Sequence, residues 1–441
     1  MLSAGFARRD VTPPLGVSLK GYYRVRICDG MLDPLEINAV AFDDGNTRAV
    51  LLSCDNLGIQ QDVCDHIREK IAAATGCSRE GVYIACTHTH LAPHIGNRTG
   101  TAGAITQQDR EYIPWFIQQA VDAAIMAVAD LSPATLSYTY ADVPGISFIR
   151  RYRMKDGSFR TNPGWQNPDI DAPLGTPDER TTALLLHREG KPQIAITHFQ
   201  THPDVISGEK VSADWCGFVR RTYEQLVPNS RCIFFTGAQG DTNHIDVRLT
   251  KEEGSGYHRS RYMGETIAKA LIANLPHAKP MENHKIVCGQ KNILVNLNKG
   301  RPEELADAIR IERIYRETGD KNLAANCDGK NMTATTIVAK ARRIVELMNG
   351  PDTKTLYLSA IAVGDAVFMG LPGEPFTDIG RSIKAGSPYA VTLPTCNTNG
   401  KEGYFPTDHS EGSYEAACAR YTLSTAQQLI DDSLALLKSL K

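Results

Sequence analysis

GVYIACTHTHLAP, residues Gly81 to Pro93, is the stretch from which the rest of the chain can be read. Val82, Tyr83, Ile84, Ala85 and Cys86 form a short apolar run with β-branched and aromatic members, the composition of a buried strand, and the run stops abruptly at Thr87. Upstream, Val63, Ile67, Ile71 and Ala72 recur at helical spacing before Gly76. Before them, Ile37 to Phe42 and Arg48 to Cys54 read as a hairpin around the turn-like DDGN at Asp43 to Asn46. The order is strand, helix, strand. The expected fold class is therefore α/β, with mixed sheets flanked by helices in one large domain. The hairpins near Asp43 and Glu189 argue against an all-parallel sheet.

Two histidines stand where the central strand ends. In an extended segment, residues i and i+2 point the same way, roughly 6 to 7 Å apart, so His88 and His90 can face one site. One can bind a metal while the other handles substrate or a proton; an HxH pair can equally be two hydrogen-bonded strand-end residues. Asp55, at the end of the preceding strand, is a functional candidate or a cap. Residues Gly96 to Gly103 read as a loop beside the site.

Further along, polar chemistry again follows strand ends. Asp109 to Leu131 is a helix despite Pro114, with a strand around Thr135 to Ala141 after it. The basic run Ile149 to Gly164 turns at Asp156 and Gly157. Strands Thr181 to His187 and Gln193 to His198 lead into FQTHPDV, where His202 precedes a proline, and Cys232 to Phe235 leads into TGAQGDTNHID. Helices near Pro302 to Arg316 and Thr335 to Met348 flank a polar stretch holding Gly319, Asn322, Asn326, Gly329 and Asn331. Strands Leu356 to Val363 and Ala366 to Met369 precede LPGEPFTDIGRSIK, in which Glu374 sits on a turn before a helix. A final loop carries Tyr404 and Tyr414, and a helix from about Tyr414 to Leu440 closes the chain. Strand-end loops are where a twisted sheet gathers residues distant in sequence into one cleft.

The 441 residues are 42% hydrophobic and 22% charged, a globular composition, and the formal net charge of −2 gives no support for nucleic-acid binding. No segment approaches the roughly 18 apolar residues of a membrane span. The eleven cysteines contain no CxxC pair, so reduced thiols are expected. These features read as a soluble protein, cytoplasmic or, if a signal peptide was trimmed, periplasmic or secreted.

Taken in order, DVTPP followed by GY, THTH, a THP turn after a strand, GAQGD, LPGEPFT, and EGYFPT followed by SYE resemble the catalytic amino-terminal domain of the neutral or alkaline, non-lysosomal ceramidases. The likeness runs from about Asp10 to Glu415, with no placeable motif between about Gly254 and Lys354. It implies a single zinc held by His88, His202, Glu374 and Tyr404, with zinc-activated water hydrolysing an amide. It also implies that His90 faces the scissile group, with Arg150 and Tyr414 beside it. His90 would pass a proton to the departing amine, and Arg150 and Tyr414 would stabilise charge on the carbonyl oxygen. Asp241 is either a support for a metal-binding histidine or a brace for its own loop.

The sequence departs from that pattern where the THTH pair continues as Leu91, Ala92 and Pro93, followed by an additional His94, and where Ile149 replaces the family's asparagine. Nor does a carboxy-terminal immunoglobulin-like domain follow the closing helix. The expectation is a zinc-dependent hydrolase of a small, polar amide, within one ceramidase-like catalytic domain over residues 1–441. The alternatives are an esterase or lactonase with the same site, or a binding protein braced by its metal. Natural substrate and oligomeric state lie beyond the sequence.

Overall fold

The computed structural model describes residues 1–96, 105–327, 332–407 and 412–441. The loop expected at Gly96 to Gly103 falls almost wholly outside these, as do Gly329 and Asn331. Strand β4 (Val82–Cys86) is buried along its whole length because both of its faces are covered. Val82, Ile84 and Cys86 point to one hydrophobic core, Tyr83 and Ala85 to another. This alternation sets the architecture.

Among the described residues β4 is the end strand of a nine-stranded mixed sheet. Its other main strands are β1 (Ser3–Asp10), β2 (Glu36–Asp43), β3 (Arg48–Cys54), β5 (Ser132–Asp142), β6 (Arg180–Arg188), β7 (Gln193–Phe199) and β8 (Ser230–Thr236). Their order is β8-β7-β6-β5-β1-β2-β3-β4, with the short strand Lys279–Met281 added beside β5. Pairs β3/β4 and β7/β8 are parallel and the others antiparallel, so both expected hairpins are present. A second sheet runs β9 (Ile286–Asn296), β10 (Thr353–Val363), β11 (Ala366–Gly370), β12 (Val391–Thr395). It packs face to face on the first through Val40, Leu51, Tyr83, Ile196, Ile233, Ile361, Phe368 and Leu393.

Helices complete the layers. α1 (Gln61–Thr75) and α2 (Gln107–Ala129) cover β1 to β4, while α3 (Asp214–Leu226) and α4 (Tyr257–Ala273) cover β6 to β8. α2 carries Pro114 inside it, and a reciprocal Thr106/Asp109 capping box secures its start. α5 (Leu305–Thr318) and α6 (Thr333–Leu347) form a small cap whose own core packs against Tyr23. α7 (Thr377–Gly386) and α8 (Ser424–Leu440) back the second sheet. The mixed α/β expectation is met, as a helix, sheet, sheet, helix sandwich. No helix among the described residues is long and apolar enough to cross a membrane.

One reading needs correction. The closing helix is not continuous from Tyr414 to Leu440: it breaks into Tyr414–Cys418 and α8. Between them Arg420 and Thr422 bond the backbone of Asn298 and Asn296, so the chain there forms a single antiparallel bridge, Leu297 opposite Tyr421. In addition, α3, α4 and β9 carry no sequence motif. α3 and β9 each contain a glycine, Gly217 and Gly289, and their burial is set by partners far away in sequence.

The first sheet is curved enough to bring its end strands together. Ser53 Oγ on β3 donates to the Phe234 carbonyl on β8, and Thr236 Oγ1 donates to the Thr87 carbonyl at 2.8 Å. The loop after β12 fills the remaining gap, Cys396 N–H bonding Thr236 O and Asn399 N–H bonding Ile84 O. The carboxyl ends of β4, β7, β8 and β12 thus open onto one place.

Candidate metal centre

His88 leaves β4 in the left-handed region, with φ of 72°. The segment is therefore not extended, and the expected alternation does not explain why both histidines face one site. A kink at His88 does so instead, an uncommon conformation for a non-glycine residue that the surrounding structure must hold. The His88 and His90 rings meet edge to face at 5.2 Å, and His202 lies 4.7 Å from His88. His88, His90 and His202 form a buried group able to hold a metal ion, each offering a ring nitrogen within 4.8 Å of the others.

Glu374 offers a tighter arrangement. His88 Nε2 and His202 Nε2 are 3.2 Å apart, and Glu374 Oε2 lies 3.2 Å from the first and 3.4 Å from the second. The opposite ring nitrogens face backbone carbonyls, His88 Nδ1 on Leu57 O at 2.6 Å and His202 Nδ1 on Gln239 O at 3.1 Å. Placing the protons on Nδ1 leaves both Nε2 lone pairs directed at the same point. Glu374 Oε2 is buried and has no hydrogen bond. Metal bonds of about 2.0–2.1 Å set tetrahedral donors roughly 3.3–3.4 Å apart, which matches this triangle and not the wider three-histidine group. Nitrogen and oxygen donors with an open position suit zinc.

Short ladders deliver the other residues. Glu374–Pro375 pairs in parallel with Tyr404–Phe405, making Glu374 and Tyr404 register partners, and Thr242–Asn243 pairs with Phe148–Ile149, carrying Arg150 to the GAQGD loop. The Tyr404 ring stacks on His202 at 6.3 Å. Burial and then Glu374 push the Tyr404 phenol well above its ordinary range, with Arg150 pulling the other way. The Arg150 guanidinium lies over Tyr404 at 5.2 Å, donates to Gly240 O at 2.8 Å and pairs with Glu415 at 2.7 Å. Tyr414 packs against Tyr404 and Tyr23 at 5.9 and 6.2 Å, so a line of rings leads from the histidines to the cap.

His90 is buried and neither ring nitrogen has a hydrogen bond; Nδ1 is 3.7 Å from Asp204 Oδ1. Burial, then the charges of His88, Arg26 and Arg150, hold its imidazole well below the usual range. Glu374 is raised by burial, yet His88 and Arg150 outweigh this and leave it below the usual carboxylate range.

All seven expected site residues gather here. Asp241 is a brace: its carboxylate accepts from the Thr377 N–H and hydroxyl, both at 2.8 Å, and touches no histidine. Asp55 is structural as well, buried in a two-pronged pair with Arg220 at 2.6 and 3.0 Å. His94 is buried and lies outside the three-histidine group. Sequence reasoning missed Asp204, Glu415 and Asn397, although the first two adjoin motifs already singled out. Asn397, whose amide is 2.9 Å from His88 Nδ1, carried no signal.

No protein-family model and no curated protein matches the sequence. Solved structures do match. Neutral ceramidase from Pseudomonas aeruginosa superposes with a TM-score of 0.71 at 17% identity, over 100% of this chain and 75% of that one. The chain has the neutral ceramidase fold. A ceramidase complexed with C2 gives 0.69 at 15% identity, over 100% and 76%. Against these ceramidases the whole sandwich aligns, cap included, although the sequence from Gly254 to Lys354 gave no sign of it.

Proposed function

We propose that residues 1–441 act as one catalytic domain, a zinc-dependent hydrolase that cleaves an amide bond of a small, polar substrate. In this reading His88, His202, Glu374 and Tyr404 hold the metal, and His90, Arg150 and Tyr414 serve the reaction. The observation that carries it is the donor triangle of two Nε2 atoms and an orphaned carboxylate oxygen, 3.2–3.4 Å on a side. The fold shared with ceramidases adds support.

Zinc bound there supplies Lewis acidity, which polarises a carbonyl and brings the pKa of water down towards about 7. The chain's own residues do the rest. Leu57 and Gln239 carbonyls fix the ring orientation of the two histidine ligands. His90 is kept neutral, and its unbonded nitrogens leave it able to take up a proton and hand it to the departing amine, with Asp204 beside Nδ1 to orient the ring. Arg150, fixed by Glu415 and Gly240 O, and Tyr414 present donors to the oxygen on which charge develops.

The test is elemental analysis of protein purified without chelator. The expected result is about one equivalent of zinc in the wild type, lost from His88→Ala and Glu374→Ala proteins that remain folded. A wild type that holds no metal after zinc is supplied overturns the assignment and the hydrolase reading together.

A further inference from the structure

The loop after β12 touches both motifs that supply the candidate donors. Its backbone is tied to β8, to the residue after β11 and to β4: Cys396 N–H bonds Thr236 O at 3.0 Å, Thr398 N–H bonds Leu371 O at 2.9 Å, and Asn399 N–H bonds Ile84 O at 2.8 Å. Asn399 adds its side chain, accepting from Ile84 N–H at 3.0 Å and donating to Ser359 Oγ at 2.9 Å. Asn397, in their midst, is buried and left-handed, with φ of 44°. Its N–H bonds the carbonyl of Gly373, the residue before Glu374, at 2.8 Å, and its side-chain amide reaches His88 Nδ1 at 2.9 Å. One residue thus joins His88 to the turn that carries Glu374.

The loop is held by its neighbours' bonds and not by the Asn397 side chain. Among the described residues that side chain meets His88 and, at 3.7 Å, the sulfur of adjacent Cys396, and its buried oxygen has no hydrogen bond while the nitrogen faces the ring. Chemistry decides which way the amide points. Leu57 O, 2.6 Å from the same Nδ1, is an acceptor only, so that nitrogen carries the ring's proton. An amide N–H aimed at another N–H finds no lone pair. Turned half round, the same amide brings its oxygen to Nδ1, where it shares the proton with Leu57 O, and the Cys396 thiol is placed to donate to it. This is the ring form that leaves the Nε2 lone pair directed towards His202 and Glu374.

We infer that Asn397 is a positioning residue of the metal centre: its amide oxygen shares the His88 Nδ1 proton with Leu57 O, and its backbone N–H holds the Glu374 turn against that ring. This role rests on the ligand set proposed above. Two acceptors on one N–H fix the plane of the ring as well as its tautomer, which a single carbonyl, approachable over a broad range of angles, does not. Asparagine suits the position because it tolerates the left-handed backbone and still offers an acceptor.

The experiment is zinc affinity, measured by competition with a chromophoric chelator and scaled to the folded fraction read by circular dichroism. Asn397→Gly keeps the left-handed backbone and removes the amide, and should bind zinc about 10–100-fold more weakly than wild type. Asn397→Asp keeps an acceptor in the same place and should hold affinity at the wild-type level or above, since a carboxylate there raises the basicity of the histidine. Asn399→Gly removes side-chain bonds of the same loop that do not reach a ligand, and should lower the melting temperature while leaving zinc affinity unchanged. Equal affinity in wild type and Asn397→Gly overturns the role, as do equal losses in the two glycine variants, or a loss in Asn397→Asp as large as that in Asn397→Gly. Zinc bound by none of the four proteins, wild type included, overturns the ligand set itself and this role with it.

Discussion

Asp55 and Arg220 anchor the floor beneath the histidines. Arg220 pairs with Asp55 and, at 3.2 Å, with Glu36, while Asp55 also accepts from the Thr87 hydroxyl beside His88. Removing one partner of a buried pair leaves the other charge uncompensated, so Asp55→Ala should destabilise the protein by about 3–5 kcal/mol, read by denaturant unfolding. His90→Ala is a different kind of change. It should retain zinc while turnover falls about 10²–10⁴-fold, a split that elemental analysis and kinetics read separately. Lys20 gives a pH signature. Its folded pKa of about 7 lies below the ordinary 10.5, so below about 7 the folded state bears the full cost of the charge, and that cost fades as pH rises to 10.5. Lys20→Met should therefore stabilise most below pH 7 and not at all above 10.5, measured by melting across that range.

Elements fix the site through short ladders and tight packing more than through long strands. The parallel pairing of Glu374 with Tyr404 puts two proposed ligands side by side, and Asp241 ties the GAQGD loop to the start of α7. Behind them, Phe368 on β11 packs against Tyr83 and Phe235 at 6.3 and 5.5 Å, joining the second sheet to β4 and β8. Phe368→Ala should cost about 3–5 kcal/mol, from lost transfer energy and the cavity left behind. Unfolding curves give the value, and a change under 1 kcal/mol would contradict the packing described. The elements found in the sequence are those with strong patterns, such as α1, β3, β4 and the β6/β7 hairpin. α3 and β9 were not read from the sequence, and their burial depends on α4 and α8.

The molecule as a whole keeps titratable groups dry. Burial draws His198, bonded to Pro394 O at 2.8 Å, and His244 down to about 3. Both are neutral in the folded state and charge on unfolding, so the stability they contribute above pH 6.5 is lost as pH falls from 6.5 towards 3. The loss is on the order of 1.4 kcal/mol per pH unit for each. Chemical denaturation at pH 7, 5 and 4 should show this decline, reduced in His198→Gln. The sequence by itself determined the α/β class and the strand-end motifs, because buried strands and turn residues are written in local pattern, while the seven residues that gather at the centre were picked out by the resemblance of those motifs to the ceramidases. Tertiary structure decided the rest. The kink at His88, the carbonyls that orient the His88 and His202 rings, and the roles of Asp55 and Asp241 as braces all arise between segments far apart in the chain. Local sequence carries no record of such contacts, since they exist only once the curved sheet brings its two ends together.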